Sequence, residues 1–196
     1  NLKESPGGLR DLQTVLWISR ACGFGTTWRE LSQAGLITGS EARAIARHES
    51  LLQTLRIRLH YLAKRREDRL LFDYQTALAE QMHIQASASR RASEYLMQHY
   101  YRTKQAVLQL NSVLLQNIRA RIFPEADTTI PINERFIARN HFLEARDEKL
   151  FNRQPPAILE SFLLMEQHPD LVGFSAVTLR ALWRGRKNID AAFRKA

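Results

Sequence analysis

A stretch without glycine or proline that ends at Pro124 constrains the fold more than any other feature of the chain. Along it, side chains that suit a protein interior recur at steps of three and four residues, which is the spacing of one face of an α-helix. We expect a helix of about 30 residues, or about 45 Å. A stripe this apolar has to pack against other helices. It consists of Leu96, Tyr100, Thr103, Val107, Leu110, Leu114 and Ile118.

A second long helix is predicted to begin after Thr38. Thr38 and Glu41 have the spacing of a capping box, in which the hydroxyl accepts a backbone N–H and the carboxylate binds back to the cap. Ile45, Leu52 and Leu59 then recur every seven residues, a pattern typical of a helix packed on other helices. The predicted fold class is therefore all-α, an antiparallel helical bundle with two long amphipathic helices closed by shorter ones. The shorter helices are expected over residues 9–22, 27–35 and 70–82.

A linker is predicted where Pro124 and Pro131 bracket polar residues and interrupt the helical periodicity. The sequence thus predicts two domains. They are a helical bundle over residues 1–123 and a smaller helical extension over residues 124–196.

The extension is expected to combine helices with one short hairpin. Residues 136–143 read Phe-Ile-Ala-Arg-Asn-His-Phe-Leu, which predicts two short strands that turn at Arg139-Asn140. One helix is predicted to open at Pro155-Pro156, and another after Ser175.

Composition and residue spacing exclude several kinds of chemistry. The single cysteine, Cys22, excludes an intramolecular disulfide and a zinc site built on several thiolates, and we expect it to be a small buried residue. None of the six histidines forms an H-x-x-x-H pair or a His-Asp dipeptide, and no Asp-x-Asp pair is present for two-metal catalysis. No apolar run approaches the roughly 18 residues of a membrane span. The chain is therefore predicted to contain no catalytic residue, no metal site and no cofactor site of its own.

The chain carries a net charge of +9, and more than half of it lies near the carboxyl end. Residues 180–195 contain six basic side chains against Asp190. Because no recognised binding motif or aromatic platform accompanies this run, a solvated face is favoured over a nucleic-acid footprint. At the other end, Gly7-Gly8 lies before a helix and between Lys3 and Arg10, so that it is either an anion-binding turn or a simple tight turn.

Four blocks, in order along nearly the whole chain, form a specific pattern. The first reads Asn-Leu-Lys-Glu-Ser-Pro-Gly-Gly-Leu-Arg-Asp at 1–11, and the second reads Arg-Leu-Leu-Phe-Asp-Tyr-Gln at 69–75. The third lies within 101–116 and the fourth within 145–180. Together they resemble the helical region between the nucleotidyltransferase and HD domains of the bifunctional uridylyltransferase/uridylyl-removing enzymes that act on the PII signal protein.

The resemblance implies a piece of a bacterial cytoplasmic enzyme. Such an enzyme transfers UMP from UTP to a tyrosine of PII and removes it again according to glutamine, so that magnesium and UTP are expected for the parent protein. The expected partners are PII and the enzyme's own transferase and HD domains, with no membrane. This region would be inactive alone, and would support the transferase cleft and the connection between domains.

By the same resemblance, five residues are candidates for contact with nucleotide phosphates or with a neighbouring domain. Asp11 has an alternative role, a favourable interaction with the positive end of the first helix. Three further residues are interpreted as structural, with a salt bridge of Arg69 or Asp73 as plausible as a substrate contact. The candidate contact residues are Lys3, Gly7, Gly8, Arg10 and Asp11, and the structural ones are Arg69, Phe72 and Asp73.

Two alternative functions remain open from the sequence. One is an independent basic helical module that binds nucleic acid. The other is the equivalent region of glutamine synthetase adenylyltransferase, which usually continues with Ile-Arg-Glu where this chain has Leu9-Arg10-Asp11.

Overall fold

The stretches with helical periodicity are helices in the computed structural model, which describes residues 1–124 and 128–189. The chain divides into two units, residues 1–118 and 119–196. The first unit holds four helices and most of a fifth. These helices are α1 (Leu9–Ala21), α2 (Trp28–Gln33), α3 (Gly39–Ala63), α4 (Phe72–Gln81) and α5 (Ala92–Ile122).

Helix α5 is the long helix that the apolar stripe predicted. Six of the seven stripe residues are buried, and Leu110 is half-buried and packs against the same core. The five helices contribute to a single core in this unit. Near its C-terminal end, α5 is tied to the loop before α3 because the Asn117 side chain donates a 2.7 Å hydrogen bond to the Leu36 carbonyl.

Helix α3 begins at the predicted capping box. The Thr38 hydroxyl accepts the Glu41 N–H at 3.2 Å, and the Glu41 carboxylate accepts the Thr38 N–H at 2.8 Å. At α2 the Thr27 hydroxyl accepts the Glu30 N–H at 3.3 Å, and the Glu30 carboxylate accepts the N–H of Thr26 at 2.6 Å.

The second unit combines short helices with a small sheet. The predicted hairpin is present, and the helices that follow Pro156 and Ser175 lie where the sequence placed them. A short helix and two strands were not predicted. The elements are β1 (Thr129–Pro131), β2 (Phe136–Arg139), β3 (Phe142–Ala145), α6 (Leu150–Arg153), α7 (Ala157–Gln167), β4 (Gly173–Phe174) and α8 (Ala176–Gly185), followed by a 3-10 turn at Arg186–Asn188.

The prediction of an all-α fold is wrong in part, because the second unit contains a four-stranded sheet in the order β1-β2-β3-β4. The first three strands are antiparallel, and β4 pairs parallel to β3. Strands β1 and β4 are three and two residues long, which is too short for a period-of-two pattern to develop. The chain is mostly helical with a small mixed sheet.

The hairpin turns one residue later than the sequence suggested. Asn140 and His141 have φ values of +48° and +65°, so that both occupy the left-handed region. Two successive residues with positive φ match the twist of the flanking strands, which explains why the turn forms without the usual Asn-Gly pair.

Cys22 is exposed, so the expectation of a small buried residue is wrong. It lies just after the last turn of α1, beyond the stripe that α1 buries. Among the described residues, no helix is both long enough and apolar enough to cross a membrane.

Thr178 joins α8 to the sheet. Its side chain is buried, and its hydroxyl oxygen accepts the N–H of Ala145 at 2.9 Å and lies 3.1 Å from the Ser175 hydroxyl. The Ser175 hydroxyl in turn accepts the Thr178 N–H at 3.2 Å and caps α8. The hydroxyl thus satisfies a backbone donor that the end of β3 would otherwise bury unpaired.

We expect Thr178→Val to destabilise the chain by about 1–3 kcal/mol, because the variant keeps the shape of the side chain but leaves the Ala145 N–H unpaired. Urea unfolding followed by circular dichroism measures the change. Thr76→Val, at an exposed position of α4, is the control and should change stability by less than about 0.5 kcal/mol. Equal effects of the two substitutions would contradict this role of Thr178.

Candidate functional site

The candidate site is the Gly-Gly segment, residues 1–8, together with the side chains that hold it. The Asn1 side chain accepts the N–H groups of Lys3 and Glu4 at 2.9 and 2.8 Å, and closes a turn. The Gly8 N–H donates to the Ser5 carbonyl at 2.9 Å, and Gly8 is the N-cap of α1. Hydrogen bonds therefore give this segment a defined conformation.

Helix α5 supports one side of the Gly-Gly segment. The Tyr100 hydroxyl donates to the Asn1 carbonyl at 3.2 Å, and the Lys104 ammonium lies 3.4 Å from the same oxygen and also contacts the Ser5 hydroxyl. Gly7 has φ +75°, and a Cβ atom there would collide with the Lys104 carbonyl. Only glycine combines that backbone conformation with so close an approach.

Asp11 holds the turn from inside the first helix. Its carboxylate accepts the Gly7 N–H at 2.7 Å from a position in the first turn of α1. The negative charge there also interacts favourably with the helix N-terminus, which is the alternative role that the sequence allowed. The structure thus places Asp11 in the support of the segment.

Lys3 and Arg10, the two candidate phosphate contacts, lie together and share a carboxylate. Arg10 donates two hydrogen bonds to Glu4, of 3.2 and 3.0 Å, and the Lys3 ammonium is 3.3 Å from Glu4. The hydrogen bond from Arg10 is the main cause of a lowered pKa for Glu4. The Arg10 guanidinium also lies 5.7 Å from the centre of the exposed Trp17 ring. Sequence reasoning missed Glu4, although its negative charge and its place between Lys3 and Arg10 in the sequence indicated that it could pair with them.

A second anchor of the Gly-Gly segment is the loop between α3 and α4. The Leu2 N–H donates to the Asp68 carbonyl at 2.7 Å. The Asp68 carboxylate accepts from Arg56 at 2.5 Å and lies 3.3 Å from the His60 ring, both on α3. Burial alone would raise the pKa of Asp68, but the hydrogen bonds from Arg56 and His60 outweigh it and lower the pKa. The sequence showed this loop only as a run of charges.

The three residues interpreted as structural lie in and just after this loop. Arg69 pairs with Glu67 at 3.1 Å rather than with Asp73, and Glu67 is buried between Arg69 and Arg65. Phe72 is 75% exposed and Asp73 is exposed in the first turn of α4. Leu71, just before Phe72, is exposed as well.

The basic run near the carboxyl end is partly neutralised. Arg184 lies 3.0 Å from Glu148, and the Arg186 guanidinium stacks 3.6 Å from the centre of the Trp183 ring. Arg194 and Lys195 lie outside the described residues. No cluster of three or more histidine, cysteine or acidic side chains that could hold a metal ion occurs in the described part of the chain.

The comparisons with known proteins agree on one family. The family model described as GlnD PII-uridylyltransferase matches residues 1–115, and the model described as the third domain of uridylyltransferase GlnD matches residues 136–196. The chain belongs to the GlnD PII-uridylyltransferase family. The first match includes the Gly-Gly segment, the loop between α3 and α4 that contains Asp68, and residues 92–115 of α5.

Relatives named bifunctional uridylyltransferase/uridylyl-removing enzyme match this chain over nearly all of its residues. The protein of Nitrosospira multiformis is 59% identical over 100% of the chain, that of Aromatoleum aromaticum 54% over 99%, and that of Bordetella pertussis 53% over 100%. The chain spans only 22–23% of the length of these relatives. No solved structure gives a significant match.

We expect Gly7→Ala to destabilise the chain more than Gly23→Ala does. The two glycines have nearly the same φ, +75° and +73°, but a Cβ at Gly23 meets no atom within 4 Å whereas one at Gly7 meets the backbone of α5. The strain of positive φ, about 1 kcal/mol, is common to both variants. The difference between their urea midpoints therefore measures the collision with Lys104, and equal midpoints would contradict the close approach.

Asp68→Asn should lower the free energy of unfolding by about 1 kcal/mol at neutral pH. Because the folded-state pKa of Asp68 is lowered, its carboxylate stabilises the fold above the ordinary aspartate pKa of about 3.9, and this stability is lost as the pH falls through the folded-state value. The difference between wild type and variant should thus shrink below about pH 4. A stability difference between wild type and Asp68→Asn that is the same at every pH would contradict this role of the Asp68 carboxylate. An equal loss of stability in the control Glu80→Gln, at an exposed position, would contradict it as well.

Proposed function

We propose that this chain is the helical part of a bifunctional enzyme that transfers UMP from UTP to the PII signal protein and removes it by hydrolysis. The observation that supports the proposal is the family match over residues 1–115, which include the Gly-Gly segment and the side chains that hold it. Among the described residues, the chain offers cations and a fixed turn but no cluster of side chains that could hold a metal ion. We therefore place the chemistry on other domains of the enzyme and the positioning of substrate here.

The proposed task of Lys3 and Arg10 is to bind phosphate oxygens of the nucleotide or a carboxylate of the adjoining transferase domain. The forked contact between Arg10 and Glu4 has the geometry in which a guanidinium binds two oxygens of an anion. Glu4 occupies that fork in this structure, so that a phosphate group has to displace it. Half of the Glu4 side chain is exposed, which leaves the carboxylate free to move away.

Magnesium ions proposed for the parent enzyme have no ligand set in the described part of this chain. We place their ligands, and the UTP site that they serve, in the transferase domain. PII as partner, the hydrolytic HD domain and a cytoplasmic location are part of the same proposal and rest on the family resemblance. No observation on the described residues favours nucleic-acid binding.

The isolated 196-residue chain is expected neither to consume UTP nor to label PII, whereas the full-length enzyme does both. Full-length enzyme offered PII and glutamine synthetase as separate acceptors should modify PII alone. Modification of glutamine synthetase would move the chain to the adenylyltransferase alternative, and UTP consumption by the isolated chain would contradict the noncatalytic role.

In the full-length enzyme, we expect Arg10→Ala to raise the KM for UTP roughly tenfold, because a charge-assisted contact with phosphate is lost. Glu4→Gln should have the opposite effect and lower this KM, since the arginine fork no longer holds a competing carboxylate. Arg20→Ala, at an exposed position on the same helix α1, is the matched control. Wild-type KM values for both Lys3→Ala and Arg10→Ala would rule out the nucleotide contact.

A further inference from the structure

We propose that Lys104, assisted by Tyr100, is a positioning residue for UMP transfer, because it fixes on helix α5 the Gly-Gly segment, which carries Lys3 and is hydrogen-bonded to the backbone of Arg10. The inference rests on the proposed function and names the part of the chain that orients the two cations. Sequence reasoning assigned no role to Lys104.

The geometry of the contact supports this role. Tyr100 and Lys104 lie one helical turn apart, and both reach the carbonyl oxygen of Asn1, at 3.2 and 3.4 Å. The Lys104 ammonium also contacts the Ser5 hydroxyl, whose O–H in turn donates to the Asn1 carbonyl at 2.5 Å. One ammonium thus ties both ends of the turn that contains Lys3 and Glu4.

The position of Lys104 constrains Lys3 and Arg10 together. The Arg10 N–H donates to the Lys3 carbonyl at 2.9 Å, and the Leu9 N–H donates to the Leu2 carbonyl at 3.1 Å. These bonds join the Gly-Gly segment to the start of α1 as one unit. A shift of the segment away from α5 therefore moves both cations.

The charge of Lys104, and not only the packing of its aliphatic stem, contributes to this contact. Burial lowers the pKa of Lys104, and the Asp11 carboxylate opposes that shift. The ammonium also lies 5.4 Å from the centre of the Tyr100 ring, where the face of the ring favours a cation. A half-buried ammonium that donates hydrogen bonds to a backbone oxygen and a hydroxyl oxygen of one segment holds that segment in position.

The test uses the full-length enzyme and three substitutions. Lys104→Met removes the ammonium but keeps an unbranched stem, and Lys104→Arg keeps a cation. Lys149→Met is the control, at an exposed lysine that forms no ion pair with any described residue. Steady-state kinetics of UMP transfer gives the KM for UTP and kcat separately. Hydrolytic removal of UMP from PII, which the proposed function assigns to another domain, reports whether the enzyme is folded.

We expect Lys104→Met to raise the KM for UTP roughly tenfold with little change in kcat, while UMP removal and the thermal midpoint stay near wild type. Lys104→Arg should recover most of the affinity, and Lys149→Met should behave as wild type. A wild-type KM for Lys104→Met overturns the inference. An equal loss of transfer and removal also overturns it, because that result indicates a structural role only.

The same assays separate this inference from the proposed function. If Arg10→Ala raises the KM for UTP and Lys104→Met does not, the nucleotide contact stands and the positioning role of Lys104 is wrong. If neither Lys3→Ala nor Arg10→Ala changes the KM, the nucleotide contact is wrong, and the role of Lys104 in positioning it is wrong as well.

Discussion

The close approach of Gly7 to the backbone of α5 is the contact on which the candidate site depends. A side chain at this position would collide with the Lys104 carbonyl, and the φ of +75° is one that other residues adopt only with strain. With the segment seated in this way, the Asn1 carbonyl comes within reach of Tyr100 and Lys104, and the Gly7 N–H points at Asp11. The glycine thus determines where Lys3, and the Arg10 that is joined to it, lie relative to α5.

In the first unit, individual carboxylates fix the positions of several basic side chains by ion pairing. Glu4 holds Lys3 and Arg10, Glu67 holds Arg65 and Arg69, and Asp68 holds Arg56. Pairs that are exposed contribute little to stability, so the value of these contacts lies mainly in the orientation of the cations. A net charge of +9 is therefore a poor guide to which cations are available to a ligand.

The long helices could be predicted because burial of one stripe imposes a period that extends over many residues. The stripe from Leu96 to Ile118 and the cap at Thr38 each carried a signal that the structure confirms. The sheet could not be predicted in full, since β4 consists of Gly173 and Phe174 alone and becomes a strand only through pairing with β3. A strand of two residues has no local pattern, and its pairing is decided by distant parts of the chain.

The sequence by itself indicated the family, the helical character of most of the chain and five of the residues around the Gly-Gly turn, because ordered motifs and helical periods are patterns of neighbouring positions. It left open which of those residues bear a free charge. Only the tertiary structure decided that Lys3 and Arg10 share the Glu4 carboxylate and that the Asp68 carbonyl binds the Leu2 N–H. The same holds for Lys104, which reaches the Asn1 carbonyl from about a hundred residues away. The contacts of Asp68 and Lys104 depend on how separate helices pack, and no local spacing encodes them.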